Sequence, residues 1–253
     1  QYLSPGGFVV SLQNCMNEET VAKVVGWGRT MGAIASSITV DLCEAGHVRR
    51  AAGKSGARHT VFRVGEVHGR TTDRVQHVCR LLALADSAHV TSNLWGERWS
   101  KLVANVMGNG LSACTGLVSR DIIADDTLRH FSSRLGSEAI RVGQALGYTL
   151  EDILHMPPET IAQAGEGDPE AAKFVDEHRL GEAGGGEHRP SMGQDMMKGR
   201  RTEIEFINGF VANRGAEVGI QTLANTALTA IVKRVEKGEL KPDKRHILDL
   251  RLN

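Results

Sequence analysis

Trp99-Ser-Lys-Leu-Val-Ala-Asn-Val-Met-Gly-Asn109 is the stretch of this sequence that decides how the chain folds. Because a step of four residues turns an α-helix by only about 40° beyond a full turn, Lys101, Asn105 and Asn109 share one face. Arg98 and Ser112 project onto the same polar sector. Apolar side chains cover most of the remaining circumference, namely Trp95, Trp99, Leu102, Val103, Val106, Met107 and Leu111. A helix of this composition is normally buried, so the stretch predicts a helical core around a narrow polar stripe.

The polar stripe carries groups that suit proton transfer and oxyanion binding. A lone lysine on an apolar helix usually extends its amine to solvent. Beside Asn105 and Asn109, a desolvated Lys101 amine would instead have a lowered pKa and would donate a proton near neutral pH. The two amide groups would hold carboxylate or carbonyl oxygens. Asparagine is a poor helix former, and such a conflict with local preference is typical of a functional site.

Composition restricts the function classes open to the chain. The 253 residues with 41% hydrophobic content predict a globular protein of one large or two smaller domains. Thirty basic and thirty acidic residues cancel, which disfavours a nucleic-acid partner. There is no apolar run of bilayer length and no signal segment, so we expect a cytoplasmic protein with no membrane partner. The four cysteines form no C-x-x-C and the histidines no H-x-x-x-H, which predicts reduced thiols and no metal site.

Residues 1–91 read as the second half of an α/β sheet domain. The apolar run at 8–12 is typical of a buried strand in a parallel sheet. Further strands are predicted at 33–42, 46–50 and 60–64. Helices are predicted at 17–25, with Asn17 as N-cap, and at 71–84.

Residues 92–253 read as a separate helical domain, because strand signals vanish from Asn93 onward. Helices are predicted at 94–114, 121–146, 170–178, 191–213 and 222–237. Proline and glycine interrupt the chain at 156–158 and 165–169. The glycine run at 181–187 is expected to be flexible, and the charged tail at 237–253 to be loosely attached.

The segment from Pro190 to Phe210 forms a second constellation. Ser191 followed by Gln194 is a capping-box pattern, so Ser191 would cap a helix whether or not it also binds a ligand. On a helical wheel Glu203 lies on the apolar stripe of the same helix. It would either pair with Arg200 or serve as a carboxylate that binds a substrate hydroxyl or sets the state of Lys101.

Asn14 stands just after the first strand of the chain. It would either form a plain turn or lie in the crevice where α/β sheets bind ligands.

Taken together, these segments resemble the ketopantoate reductase family over nearly the whole chain. The matching pieces are Ser11-Leu-Gln-Asn14, the stretch from Leu94 to Asn109, and the segment from Pro190 to Phe210. The spacings Lys-x3-Asn-x3-Asn and Ser-x11-Glu are specific when they occur together. The resemblance implies the C-terminal part of a Rossmann-type nucleotide-binding domain over 1–91 and a 6-phosphogluconate-dehydrogenase-like helical domain over 92–253.

The resemblance also implies NADPH-dependent reduction of a 2-oxo acid, with 2-dehydropantoate as the expected substrate and a homodimer as the expected assembly. Lys101 would be the general acid. Asn105, Asn109 and Ser191 would hold the keto acid, and Glu203 would bind the substrate hydroxyl. Asn14, together with Glu203, would contact the NADP cofactor.

Three departures from the family pattern set limits on this inference. No G-x-G-x-x-G turn precedes Phe8, so the first half of the nucleotide-binding domain is expected to be absent from these residues. Cys15 occupies a position where the family usually has glycine, which would alter a tight turn. The region 156–189 is long and rich in glycine and glutamate, which leaves the identity of the substrate open.

Two alternatives therefore stay open. A β-hydroxyacid dehydrogenase would also use a K-x-x-x-N element, although the Ser-x11-Glu spacing favours a ketopantoate reductase. A non-catalytic helical dimerisation module would need neither cofactor nor substrate.

Overall fold

The computed structural model describes residues 3–36, 38, 40–50, 60–182 and 189–252. They form two compact units, Gln1–Lys101 and Leu102–Asn253. Within the described ranges, no helix combines the length and hydropathy needed to cross a membrane.

The first unit is built on a mixed sheet. It consists of β1 (Val9–Ser11), β2 (Thr30–Ala35), β5 (Phe62–Glu66) and β6 (Ala88–Val90), in the order β1-β2-β5-β6, with a separate antiparallel hairpin of β3 (Val40–Glu44) and β4 (His47–Arg50). The pairs β1–β2 and β5–β6 are parallel, but β2–β5 is antiparallel. The first strand therefore pairs in parallel with β2, as predicted, but the sheet as a whole is mixed.

Two helices belong to this sheet unit, α1 (Glu18–Val25) and α2 (Asp73–Ala83). Thr72 caps α2, because its hydroxyl accepts a hydrogen bond from Val75 N at 3.3 Å. The hydrophobic core of the unit lies between the sheet and α2. Its buried residues are Met31, Ala33, Val64, Val75 and Val78.

Three features of the first unit differ from the predictions. The single strand at 33–42 is two strands, since β2 ends at Ala35, opposite the first residue of β5. Asn17 holds the predicted N-cap position of α1, but its side chain makes no cap hydrogen bond and donates instead to the carbonyl of Asn14. The short strand β6 was not predicted, because three residues are too few to show a period of two.

The second unit is helical. Its helices are α3 (Leu94–Thr115, which begins in the first unit), α4 (Ser119–Ala124), α5 (Asp126–Ala145), α6 (Pro158–Glu166), α7 (Pro169–Glu182), α8 (Ser191–Met197), α9 (Asn208–Val218), α10 (Leu223–Glu236) and α11 (Arg245–Leu248). The predicted burial of α3 is confirmed, because Trp99, Leu102, Val103, Val106 and Leu111 are fully buried.

Several helix predictions need correction. The helix predicted at 121–146 is interrupted at Asp125, whose extended backbone and carboxylate cap α5. Helix α6 lies mainly between the two predicted breaks, where no helix was predicted, and α11 lies in the segment predicted to be a loose tail. The tail is attached, since Asp243 N donates to Cys114 O at 3.0 Å and Ile247 is buried. Most of the glycine run at 181–187 lies outside the described residues.

The helices α5 and α6 pack so closely that a glycine is required between them. A Cβ atom on Gly165 would overlap the backbone oxygen of Ser133 and lie 2.5 Å from Ser137 Cβ. The neighbours are backbone and a short side chain, so they cannot swing aside.

We predict that Gly165→Ala lowers the free energy of unfolding by about 2 kcal/mol through overpacking, as measured by urea denaturation. Gly181→Ala is the matched control, because Gly181 is also helical and has no atom within 4 Å of a built Cβ. The control should raise the free energy of unfolding by roughly 0.5–1 kcal/mol. Equal effects of the two substitutions would contradict the packing argument.

Candidate functional site

The polar stripe of α3 is largely buried. Lys101 is half-buried, while Asn105 and Asn109 expose only 8% and 9% of their surface. The Lys101 amine has no hydrogen bond or ion pair with any described residue, and burial lowers its pKa. An unpaired amine with a lowered pKa is suited to donate a proton to a bound molecule.

Asn105 presents an unusual donor. Its Nδ2 atom is buried and has no hydrogen-bond partner within the described part of the chain. A buried donor left unpaired costs about 1–3 kcal/mol, so such groups normally have a partner in protein, water or ligand. The Asn109 side chain likewise makes no hydrogen bond to a described residue. The stripe is therefore the place on α3 where a ligand would supply acceptors.

Other polar side chains of α3 are satisfied within the helix or just beyond it. Ser100, Ser112 and Thr115 donate to the carbonyls of Gly96, Leu117 and Leu111 at 2.9, 2.7 and 2.7 Å. Their role is structural, which sets them apart from Lys101, Asn105 and Asn109. Ser112, which shared the polar sector in the sequence, is thus not part of the stripe.

Ser191 is exposed and is the first residue of α8. The predicted capping box is wrong, because Pro190 holds the N-cap position and no side chain caps the helix. Helix α8 lies directly against α3, since a Cβ atom on Gly193 would overlap Ser112 Oγ. Ser191 therefore lies two residues before the point where α8 meets α3, and its side chain is exposed.

Glu203 lies outside any α-helix, which corrects the predicted continuous helix at 191–213. Helix α8 ends at Met197, because Gly199 adopts a left-handed conformation with φ +64°. A Schellman-type bond from Arg200 N to Asp195 O, at 2.9 Å, closes this end. Glu203 is half-buried and precedes a 3-10 turn, Ile204–Phe206. The apolar stripe on which the sequence placed Glu203 does not exist, although the side chain remains partly buried.

A buried amide network holds the Glu203 segment against α3. Asn208 Nδ2 donates to Val106 O at 3.3 Å and to Asn225 Oδ1 at 2.9 Å. Asn225 Nδ2 in turn donates to Leu135 O at 3.1 Å and to a carboxylate oxygen of Glu138 at 2.8 Å.

The same segment approaches α3 at a glycine. The nearest atoms to a Cβ built on Gly110 include Asn208 Oδ1 and Ile204 Cδ1, at 3.0 and 3.2 Å. Sequence reasoning missed this network, because its members are far apart in the chain. In the second unit, the segments that carry Ser191 and Glu203 thus both pack on the part of α3 that carries Asn105 and Asn109.

In the first unit, Asn14 follows the end of β1 that Arg98 of α3 binds. Asn14 is half-buried in the turn after β1, and the next residue, Cys15, has φ +72°. Arg98, three residues before Lys101, donates to the carbonyls of Ser11 and Gln13 at 2.7 and 2.6 Å. The Cys15 turn thus keeps the left-handed backbone that glycine adopts most easily.

The Asn14 turn meets one requirement of a dinucleotide site, because the carboxyl end of a parallel strand is where α/β sheets bind cofactors. The sequence contains no G-x-G-x-x-G turn, the motif that binds dinucleotide phosphates at a helix N-terminus. Within the described residues, no group of histidine, cysteine, aspartate or glutamate side chains is arranged to hold a metal ion.

Residues 93–236, more than half of the chain, match the family model for the C-terminal domain of ketopantoate reductase (PanE/ApbA). The 2-dehydropantoate 2-reductases of Archaeoglobus fulgidus and Mesorhizobium japonicum are each 29% identical, over 92% and 85% of this chain. The crystal structure of 2-dehydropantoate 2-reductase from Geobacter metallireducens matches 92% of this chain with a TM-score of 0.72 and 26% identity. This chain covers 69%, 58% and 69% of those three proteins, respectively.

We predict opposite effects of leucine at two buried asparagines of the second unit. Asn105→Leu removes an unpaired donor and should raise the free energy of unfolding by about 1 kcal/mol in the absence of ligand. Asn208→Leu, the matched control, breaks the amide network and should lower it by roughly 2–3 kcal/mol. Urea denaturation checks both values. A loss of stability in both variants would indicate that the Asn105 amide is satisfied in the free protein.

Proposed function

The chain belongs to the ketopantoate reductase family, and we propose that it reduces a 2-oxo acid, 2-dehydropantoate, to the 2-hydroxy acid with NADPH as reductant. The observation that carries this proposal is the stripe on α3. It combines an unpaired amine of lowered pKa with an unpaired buried amide on a helix that is otherwise apolar and buried.

Lys101 is the general acid in this proposal. Reduction of a ketone places negative charge on the carbonyl oxygen, and a preorganised ammonium stabilises that charge and then supplies the proton. Burial of the amine supports this role, because desolvation lowers the pKa and makes the proton easier to release. When bound, NADPH supplies the hydride for the carbonyl carbon.

The remaining stripe residues orient the substrate. Asn105 and Asn109 donate their amide hydrogens to oxygens of the 2-oxo acid, and the exposed Ser191 hydroxyl adds a third donor. Glu203 accepts a hydrogen bond from the substrate hydroxyl. The half-buried position of Glu203 and the packing of its segment on α3 support this assignment.

Asn14 and Glu203 are the residues proposed to contact the nicotinamide side of the cofactor. We assign the first unit to the second half of a Rossmann-type domain and the second unit to a 6-phosphogluconate-dehydrogenase-like helical domain. We also infer that the protein acts as a homodimer. The β-hydroxyacid dehydrogenase and non-catalytic alternatives predict, respectively, turnover of other substrates and no NADPH binding at all.

The test measures NADPH oxidation with 2-dehydropantoate, in the entire polypeptide in which this sequence occurs. Lys101→Met should lower kcat by about 10²–10⁴-fold, because the general acid is lost, while the Kd of NADPH stays unchanged. Lys173→Met is the matched control, since Lys173 is an exposed lysine of α7. Retention of wild-type kcat by Lys101→Met would remove Lys101 from the proposed role.

The pH dependence of reduction provides a separate prediction. Since the amine must be protonated, kcat should fall as pH rises through the pKa of Lys101, which burial places below the ordinary lysine value of about 10.4. This alkaline limb should disappear in Lys101→Met. Burial disfavours the charged amine, so Lys101→Met should also stabilise the fold at neutral pH, by an amount that shrinks as pH rises above the pKa of the folded state. A limb that persists in the variant would mean that another group supplies the proton.

A further inference from the structure

Arg98 is a buried arginine with a specific set of acceptors. Its guanidinium donates to Gln13 O at 2.6 Å, to Ser11 O at 2.7 Å and to Ser11 Oγ at 3.2 Å, and it pairs with the carboxylate of Glu18. Only 3% of the Arg98 side chain and none of the Glu18 side chain is exposed. One guanidinium thus binds the end of β1, the residue before Asn14 and the start of α1.

The Arg98–Glu18 pair is not arranged for maximal stability. Glu18 Oε2 and Arg98 Nε are buried and have no hydrogen-bond partner among the described residues. Desolvation raises the pKa of the Glu18 carboxyl, even though the guanidinium opposes the shift. A buried ion pair is often replaceable by apolar side chains without loss of stability, so its presence suggests a role other than stability.

The position of Arg98 suggests that role. It lies on α3 one turn before Lys101, and its acceptors immediately precede Asn14 in the chain. A guanidinium reaches two carbonyls at once because its donors form a rigid fork, whereas a lysine ammonium is a single point donor.

We propose that Arg98 is a positioning residue for the reaction, which holds the Asn14 turn at a fixed place relative to Lys101. The inference rests on the proposed function, since it assumes that Asn14 contacts the cofactor and that Lys101 donates the proton. Glu18 serves to neutralise the buried guanidinium.

The test removes the ion pair without leaving a buried charge, in the double variant Arg98→Met/Glu18→Met. Its matched control is Arg74→Met/Glu66→Met, which removes another arginine–glutamate pair of the same unit, with an N–O distance of 2.6 Å. Arg74 donates to Gly28 O and does not contact the Asn14 turn.

We expect kcat to fall about 100-fold in Arg98→Met/Glu18→Met, because a misplacement of roughly 1 Å has an effect of this size. The KM of the 2-oxo acid should stay within about threefold, and the control should keep both values. Asn14→Ala should add little to the loss in the double variant, because both changes act on the same contact. The proposal would be overturned if Arg98→Met/Glu18→Met kept the wild-type kcat. It would also be overturned if the kcat losses of Asn14→Ala and of the double variant multiplied when the changes were combined.

Two further measurements keep the proposal testable. If the double variant does not fold, Arg98→Lys is the substitute, because it keeps the charge but loses the fork. We expect Arg98→Lys to fold with a lowered Tm, since buried acceptors lose donors, and with a lowered kcat. Wild-type kcat in Arg98→Lys would overturn the proposal. Amide hydrogen exchange does not depend on turnover. Exchange of residues 12–16 should become at least about tenfold faster in Arg98→Met/Glu18→Met, while β2 and β5 stay protected. Unchanged exchange would overturn the role of Arg98, whereas absence of wild-type turnover would overturn only the proposed reaction.

Discussion

A helix that is buried on nearly every side leaves little water for its polar side chains, and this constraint governs α3. Each buried polar group on α3 needs a hydrogen-bond partner, either in the protein or in a ligand. Arg98 binds the end of β1, and Ser112 and Thr115 bind nearby carbonyls. Lys101 and the Nδ2 atom of Asn105 have no such partner among the described residues. The hydrogen bonds of one helix thus separate the polar groups that hold the fold from those that have no partner among the described residues.

In the second unit, two glycines let neighbouring segments pack closely on α3. Gly110 of α3 leaves room for the Asn208 and Ile204 side chains, and Gly193 of α8 leaves room for the Ser112 side chain of α3. The Asn208–Asn225 pair then fixes the position of the segment with directional bonds. Apolar contacts tolerate small shifts, but a hydrogen-bonded amide pair does not. Directional support of this kind is what a precisely placed binding site requires.

The stripe and the burial of α3 were predictable because they depend on spacing within a single helix. The contacts that hold α3 against its neighbours could not be predicted from the sequence. Ser11 and Gln13 lie more than 80 residues before Arg98, and no local pattern links a buried arginine to two backbone carbonyls. The signal that was present is the placement of Arg98 on a helix predicted to be buried, which requires a carboxylate partner. The break after α8 escaped notice because Gly199 is compatible with a helix until its left-handed φ is known.

Several buried side-chain atoms that lack a hydrogen-bond partner within the described ranges lie on α3 or on side chains that bind α3. Asn105 Nδ2 lies on it, while Glu18 Oε2 and Asn208 Oδ1 belong to side chains that bind it, and none of these atoms has a hydrogen-bond partner among the described residues. Each lowers the stability of the ligand-free protein, because desolvation is not compensated. Selection for stability alone would replace them with apolar groups. For Glu18 and Asn208 the other polar atom of the same side chain binds α3, so the unpaired oxygen accompanies a structural contact. Asn105 Nδ2 has no such contact with a described residue, and this difference is what supports the proposal that the stripe binds a polar ligand.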